Sequence, residues 1–310
     1  MFDILLLGTG AMVPLPQRYL SSTLFRVDAG LHLIDCGEGT QVAMRRYGWG
    51  FKRLQTILLT HFHADHIAGL PGLMHTLAHS GKTDRLTIVG PAGTYQIVSG
   101  LFVIVGQLPF EVYIQELQDG DETVLEGGIR CSVVAGEHRG PVLCYRFDLD
   151  RAPAFLPEEA ERLGVPRNEW SRLQRGESVA VGDNIVQPEQ VISGPRPGIS
   201  FGIATDTRPL DAIANHMSEV NLLITEGTYG DDADQNKAIE RGHMTFREAA
   251  TLARNAHAGA LWLTHFGAGM LTPQDFEANA TNVFPNTTIG EDGLHGTISY
   301  DAGYRPHSPE

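Results

Sequence analysis

The chain reads as a mixed α/β protein in which helices cover β-sheets. Short apolar, β-branched runs recur along it, each closed by a turn signal. Stretches with helix-entry chemistry lie between them. Strands dominate the first part, and further on strands and helices alternate. With 310 residues, 42% of them apolar, there is material for one large domain or two modest ones.

FDILLLG carries Asp3 and stops at Gly8, so the N-terminus is expected to form a first strand rather than a secretory leader. LHLIDCG, TILLTH and LTIVGP follow as strands, then IRCSVVAG, VLCYRFDL, ISFGIATD, VNLLITEG and ALWLTHFG. GTISY reads as a terminal strand after a last turn at Pro285–Asn286. Leu70–His79 is a helix that opens with Pro71 and closes on Ser80-Gly81. Thr245–Ala256 has Thr245 and Glu248 at capping-box spacing. Thr272–Ala280 begins on Thr-Pro, a helix-entry pair. TILLTHFH and ALWLTHFG echo one another, either by chance or as the trace of a duplicated half.

Residues 150–198 differ from the rest. They are dense in proline and mixed in charge, with no long core pattern. They read either as an inserted, projecting arm or as a surface linker with a short helix at Glu158–Leu163. Arg162, Arg167, Arg172 and Arg175 stand out there in an acidic protein. The balance of 23 basic to 37 acidic residues, net −14, argues against a general nucleic-acid coat but leaves room for a local basic patch. Three cysteines without CxxC spacing argue against a disulfide framework and suit a reducing, cytoplasmic setting. No window approaches the roughly 20 apolar residues of a membrane span, so no membrane partner is expected.

The chemistry gathers in TILLTHFHADHIAGLPG, where His61, His63, Asp65 and His66 crowd into six residues. His61 and His63 are two apart after a strand, which puts both rings on one side. One ion cannot easily use all four groups from so tight a turn. Two ions can, with the two histidines on one and the Asp-His pair on the other. Imidazole and carboxylate are the ligands of catalytic zinc, whose bound water reaches a pKa of about 7. Manganese or iron can occupy such sites too. The bland reading, a histidine-rich exposed turn, leaves the crowding unexplained. His138, Asp206 and His265 each sit where an apolar run ends, at a sheet edge. Singly each is an ordinary turn residue; together they complete the cluster, and Asp206 is the natural bridge between two ions.

HFHADH is the HxHxDH motif, and the chain resembles the metallo-β-lactamase superfamily. Within it, LIDCGEGTQ, LLTHFHADHIAGLPGL, GEHRGPVLCYRF, ATDTRP, ITEGTYG, GHMT and LTHFG follow in the order of the ribonuclease Z family, over nearly the whole chain. The resemblance implies a four-layer αβ/βα sandwich, residues 1–310 as a single domain, with 150–198 as an inserted exosite arm gripping precursor tRNA. It implies two zinc ions, one on His61, His63 and His138, the other on Asp65, His66 and His265, with Asp206 shared. Asp65 would also orient or deprotonate the attacking water. Glu226 and His243 would form a pair protonating the leaving oxygen, where the plain reading of His243 is a helix-entry residue. Arg18, Arg172 and Arg175 would meet the substrate, and Asp35 would support the metal ligands. The implied activity is removal of the 3′ trailer of precursor tRNA. The resemblance also raises a homodimer in which one subunit's arm serves the other's site. Three segments depart from the family pattern: PLPQRY, the arm, and Gly267-Ala268-Gly269-Met270. They motivate an alternative, a phosphodiesterase or arylsulfatase-like hydrolase of a small ester on the same scaffold. A non-catalytic RNA-binding protein is a third option, against which the full ligand set argues.

Overall fold

The computed structural model describes residues 1–307. The described chain folds as two compact units, 1–149 with 199–307, and 150–198. In chain order the strands are β1 Phe2–Gly8, β2 Ser22–Val27, β3 Gly30–Ile34, β4 Leu54–Leu58, β5 Leu86–Pro91, β6 Val112–Leu117, β7 Glu122–Leu125, β8 Ile129–Ala135, β9 Leu143–Arg151, β10 Val179–Val181, β11 Asn184–Val186, β12 Arg196–Ala204, β13 Leu222–Glu226, β14 Leu261–Thr264, β15 Thr287–Ile289, β16 His295–Ser299 and β17 Gly303–Pro306.

The large unit holds two sheets, ordered β17-β16-β1-β2-β3-β4-β5-β6 and β15-β14-β13-β12-β9-β8-β7. Each has an antiparallel part and a parallel part: β1 to β3 pair antiparallel and β3 to β6 parallel. In the second sheet β7 to β9 pair antiparallel and β12 to β15 parallel.

Strand alternation builds the layers. From β1, Phe2, Ile4 and Leu6 enter a core shared with Phe147, Phe201, Ile224 and Trp262 of the other sheet. Leu5 and Leu7 point the opposite way, onto Leu70, Leu73 and Leu77 of the Leu70–His79 helix. This is why FDILLLG is apolar at successive positions: both its faces are covered. On the far side, Leu223, Leu261 and Leu263 pack on Phe246, Ala249 and Ala253 of the Phe246–Asn255 helix. The result is helix, sheet, sheet, helix. Phe201 ties the sheets by ring contacts with Phe2 at 5.0 Å and Phe25 at 5.1 Å. Deleting such a ring costs about 3–5 kcal/mol.

Several elements differ from the sequence reading. β2, β6 and β7 were not anticipated; VYIQEL and ETVL mix polar with apolar residues, and their edge positions leave much of them unburied. GTISY is not the last strand, since β17 pairs with it. Thr272–Ala280 is a 3₁₀ turn, Pro273–Phe276, followed by a short helix, Glu277–Thr281. At the junction of the two, Phe276 seats against Gly230, where a Cβ would come within 2.5 Å of its ring.

The 150–198 unit has a core of its own, built from Ala160, Val165, Leu173, Val179, Val186 and Val191. Phe155 and Trp170 pack at 5.2 Å, and the Trp170 indole N–H donates to the Val165 carbonyl at 3.1 Å. Its first helix is Pro157–Arg162, and β10 and β11 form a hairpin. The conspicuous arginines are not free. Arg162 pairs with Glu159, Arg167 with Glu161, Arg172 with Glu169 and Glu177, and Arg175 with Glu177. The segment carries six arginines against eight carboxylates, so it is not a basic patch by net charge.

No described helix is long and apolar enough to cross a membrane. All three cysteines are free and buried.

Candidate metal centre

The site forms where the chain leaves the sheets. Asp35 follows β3, Asp206 lies just past β12 and His265 follows β14. All three have left-handed backbones, with φ of 59°, 54° and 56°. For non-glycine residues this costs on the order of 1–2 kcal/mol each. The turn redirects each side chain out of the sheet plane towards a common point.

The HFHADH stretch works differently from its strand-period reading. β4 ends at Leu58, and His61 and His63 sit in the loop beyond, His63 capping a four-residue helix, Ala64–Ile67. The loop, and not strand alternation, brings their rings to 4.7 Å. Two glycines allow the loop to settle. Cβ atoms on Gly37 and Gly69 would meet the Asp65 carbonyl at 2.5 Å and the Gly37 carbonyl at 2.1 Å. Backbone bonds then lock DCGEG to the motif, from Cys36 N–H to His66 at 2.7 Å and from Gly69 N–H to Cys36 at 2.9 Å.

All seven expected ligands converge. His61, His63, His138 and Asp206 offer atoms within 4.8 Å of one another, and so do Asp65, His66 and His265. Asp206 faces both groups with different oxygens. Its Oδ1 lies 3.8 Å from His61 Nε2 and 3.7 Å from His138 Nε2. Its Oδ2 lies 3.1 Å from His66 Nε2 and 3.2 Å from His265 Nε2. Asp65 Oδ2 completes the second group at 3.4 Å from His265 Nε2.

The donor set fits divalent cations. Imidazole nitrogens crowd each other at 3.0 Å (His61 and His63), 3.1 Å (His66 and His265) and 3.2 Å (His138 and His63). Asp206 Oδ2 is buried with no hydrogen-bond partner, although the His66 and His265 Nε2 atoms lie 3.1 and 3.2 Å from it. Neither Asp65 nor Asp206 has a lysine or arginine partner among the described residues. Converging lone pairs and an orphaned, buried carboxylate oxygen are what a bound cation resolves.

Protonation follows the same geometry. Burial, then the neighbouring His66 ring, pushes His61 down to about 2, so its ring is neutral, the form that could hold a metal. Burial also lowers His138. His66 is buried too, but Asp206 and Asp35 outweigh that and raise it. Its Nδ1 meets Asp35 Oδ2 at 2.7 Å, which leaves Nε2 for the cluster. Asp35 is itself fixed by the Thr60 N–H at 2.8 Å and the Thr60 hydroxyl at 2.9 Å. Burial works to raise the Asp65 carboxyl, but His265, His66 and the Met12 N–H hold it below the usual range. That N–H donates to Asp65 Oδ2 at 2.7 Å.

Glu226 ends β13 and is fully buried. Its Oε1 accepts from the Thr207 N–H at 2.7 Å, and its Oε2 from the Thr228 hydroxyl at 2.7 Å and the Met244 N–H at 3.0 Å. His243 Nδ1 lies 3.1 Å from Oε2. Burial opposes a charge on His243, but Glu226, with Asp206 and Asp65 behind it, raises its pKa. Gly242, at φ 73°, sets the approach: a Cβ there would lie 2.9 Å from His138 Nδ1.

Sequence reasoning passed over two residues that organise this edge. The Thr228 hydroxyl sits between Glu226, His243 at 3.4 Å and His265 Nδ1 at 3.2 Å. Arg208 grips Glu248 and the His243 carbonyl while its N–H donates to the Glu137 carbonyl at 3.1 Å. Both stand inside quoted segments, ITEGTYG and ATDTRP, but only the tertiary contacts give them a role.

Arg18 is not in the cluster. It donates to the Met270 and Leu271 carbonyls at 3.0 and 3.3 Å, joining the two divergent segments, PLPQRY and GAGM. A cavity of about 490 Å³ opens beside them, lined by Met12, Thr228, Tyr229, Arg241, Gly267 and Met270. Arg172 and Arg175 lie in the 150–198 unit within the ion pairs described above. Elsewhere, Asp3, His295 and His307 also bring ligand-type atoms within 4.8 Å, but Asp3 already holds Arg26 and His295 in short contacts.

Comparison with known proteins adds the following. The family described as "Anti-Pycsar protein Apyc1" matches residues 2–98. The ribonuclease Z of Clostridium botulinum strain Eklund 17B is 42% identical over 97% of this chain and 99% of its own length. That of Clostridium beijerinckii is 43% identical with the same coverage. Among solved structures, human tRNase Z, short form, is 25% identical with a TM-score of 0.67, covering 96% of this chain and 99% of its own. A metallo-β-lactamase fold protein, YhfI from Bacillus subtilis, shares the fold at 19% identity and a TM-score of 0.68, covering 95% and 98% of the two chains.

Proposed function

The chain belongs to the ribonuclease Z family, and from that premise we propose that it is a metal-dependent endoribonuclease that removes the 3′ trailer from precursor tRNA. The observation that carries the reading is Asp206, whose two oxygens face two separate groups of imidazole and carboxylate ligands. His61, His63 and His138 would hold one ion, and Asp65, His66 and His265 the other. Zinc is the ion that the nitrogen-rich ligand set favours. Divalent ions bound there supply Lewis acidity and a water of lowered pKa.

The chain's own groups would do the rest. Asp65, fixed by the Met12 N–H and kept ionised by His265 and His66, would orient the attacking water or accept its proton. Glu226 is buried and saturated with donors, so it stays put and keeps His243 Nδ1 engaged. His243 Nε2 is then placed to give a proton to the departing 3′ oxygen, leaving a 3′-hydroxyl on the tRNA. Arg208 and the Thr245–Glu248 capping box fix the backbone that carries His243.

The 150–198 unit is proposed as an exosite for the tRNA body. Its arginines would exchange exposed glutamate partners for phosphates, which costs little because exposed pairs contribute about 0–1 kcal/mol. Arg18 would act indirectly, by shaping the loops beside the cavity. A homodimer sharing arms and a cytoplasmic location complete the proposal.

The test is to incubate purified protein with a precursor tRNA bearing a 3′ trailer, and separately with bis-p-nitrophenyl phosphate. Trailer removal leaving a 3′-hydroxyl supports the reading. Turnover of the small ester with an untouched trailer at high enzyme overturns it. Elemental analysis is expected to give about two divalent ions per chain.

A further inference from the structure

A second cavity lies at the opposite end of the first sheet's parallel strands. It measures about 640 Å³ and is lined by Gly30, Lys52, Arg53, Gln55, Lys82 and Arg85, with Asp84 and Glu126 at its margin. The metal ligands follow the C-terminal end of β4; this cavity opens at its N-terminal end, roughly 13 Å away along that strand alone. Its volume is in the range that holds small ligands.

Its charge is unlike that of the chain. Four cations meet two carboxylates here, in a protein of net charge −14. Two of the three lysines of the whole sequence, Lys52 and Lys82, face this one cavity. Arg85 is paired with Glu111 at 3.0 Å. Lys52, Arg53 and Lys82 have no ion pair among the described residues.

Lys82 is the unusual group. It is only 1% exposed, and its ammonium lies 5.7 Å from the Phe110 ring centroid. Burial lowers its pKa, with Asp84 acting against that from a distance. A desolvated ammonium with no bound counter-charge gains strongly from an anion that reaches it. Beside it, the Gln55 amide oxygen is buried without a hydrogen-bond donor. Gly30 makes room for that amide, since a Cβ at residue 30 would come within 2.1 Å of the oxygen.

We propose that this cavity binds a small phosphate ester of nucleotide size, its phosphate on Lys82 with Lys52, Arg53 and Arg85, and a hydroxyl or amine on Gln55. The recess decides against the backbone of an RNA duplex. Phosphates along a helix meet cations that project, whereas a terminal phosphate can enter a cavity and reach a covered lysine. The cationic lining decides against a metal ion.

The probe is AMP, titrated calorimetrically into the metal-loaded protein and into Lys82→Met, with adenosine as the phosphate-free control. AMP held by the metal centre appears equally in both proteins, so the difference isolates this cavity. Wild type is expected to show a binding event that Lys82→Met weakens tenfold or more, and that adenosine does not produce. Cleavage of bis-p-nitrophenyl phosphate is expected to be equal in the two proteins. Identical isotherms, or adenosine binding as well as AMP, overturns the proposal. Displacement of AMP by duplex RNA, with no displacement by other phosphate monoesters, overturns it in favour of an RNA surface. Should Lys82→Met fail to fold, the double variant Lys52→Gln/Arg53→Gln reads the same event from the cavity's other cations, and unchanged AMP binding there overturns the proposal.

Discussion

His32 offers a quantitative test of the core. It sits mid-strand in β3, fully buried, stacked on Phe25 at 4.9 Å, and neither ring nitrogen has a hydrogen-bond partner. Burial pushes its pKa down from 6.5 to about 4. The folded ring therefore resists a proton that the unfolded chain accepts. The stability that depends on a neutral ring is fully present above 6.5 and is lost as the pH falls below it, with the loss complete below about 4. One pKa unit corresponds to about 1.4 kcal/mol, so the whole shift represents about 3 kcal/mol, and the part lost between pH 8 and pH 5 is about 2 kcal/mol. His32→Leu removes the titration and two unsatisfied nitrogens but loses the ring stack. At pH 8 it is expected to lie within about 1 kcal/mol of wild type. Urea unfolding of both proteins at pH 8 and pH 5 measures the rest: the variant gains about 2 kcal/mol on wild type as the pH falls. A difference that stays constant across that range would refute the argument, because it would mean that the ring has a partner inside the core.

Asp65→Ala is expected to cut trailer removal by about 100-fold or more while leaving the circular dichroism spectrum unchanged, since the role proposed for the group is on the attacking water and it sits in the four-residue Ala64–Ile67 helix, outside the hydrophobic cores. Thr245→Ala removes a capping box whose other half, Glu248, also holds Arg208; a loss of about 1 kcal/mol is expected in urea unfolding. Replacing residues 150–198 by a short linker is expected to reduce tRNA cleavage far more than cleavage of bis-p-nitrophenyl phosphate, because the unit has its own core and contributes none of the candidate metal ligands. Equal losses on both substrates would count against an exosite.

Local chemistry was legible where neighbours in sequence settle the matter. The Thr245 and Glu248 spacing forms its capping box, and Leu70–His79 is a helix with proline in its first turn. FDILLLG, LTIVGP and IRCSVVAG are strands because their apolar residues are covered on both faces or alternate into a core. HFHADH announced ligand chemistry because four such residues in six positions have little other use. The edge strands escaped notice because VYIQEL and ETVL are half-exposed, and a strand that buries little carries a weak pattern.

What the tertiary structure decided is which distant residues meet, and why. His265 Nε2 lies 3.1 Å from His66 Nε2 across 199 positions because β4 and β14 belong to facing sheets whose ends open on one edge. Left-handed turns at Asp35, Asp206 and His265 aim those side chains together, and a single chain pattern does not encode such an aim. The arginines of the 150–198 unit gave the opposite lesson: read as a row they left room for a basic patch, but folding sets a glutamate against each of them. Residue type determined the chemistry available to this protein. Sheet packing, which alone brings together groups hundreds of residues apart, determined where that chemistry is assembled.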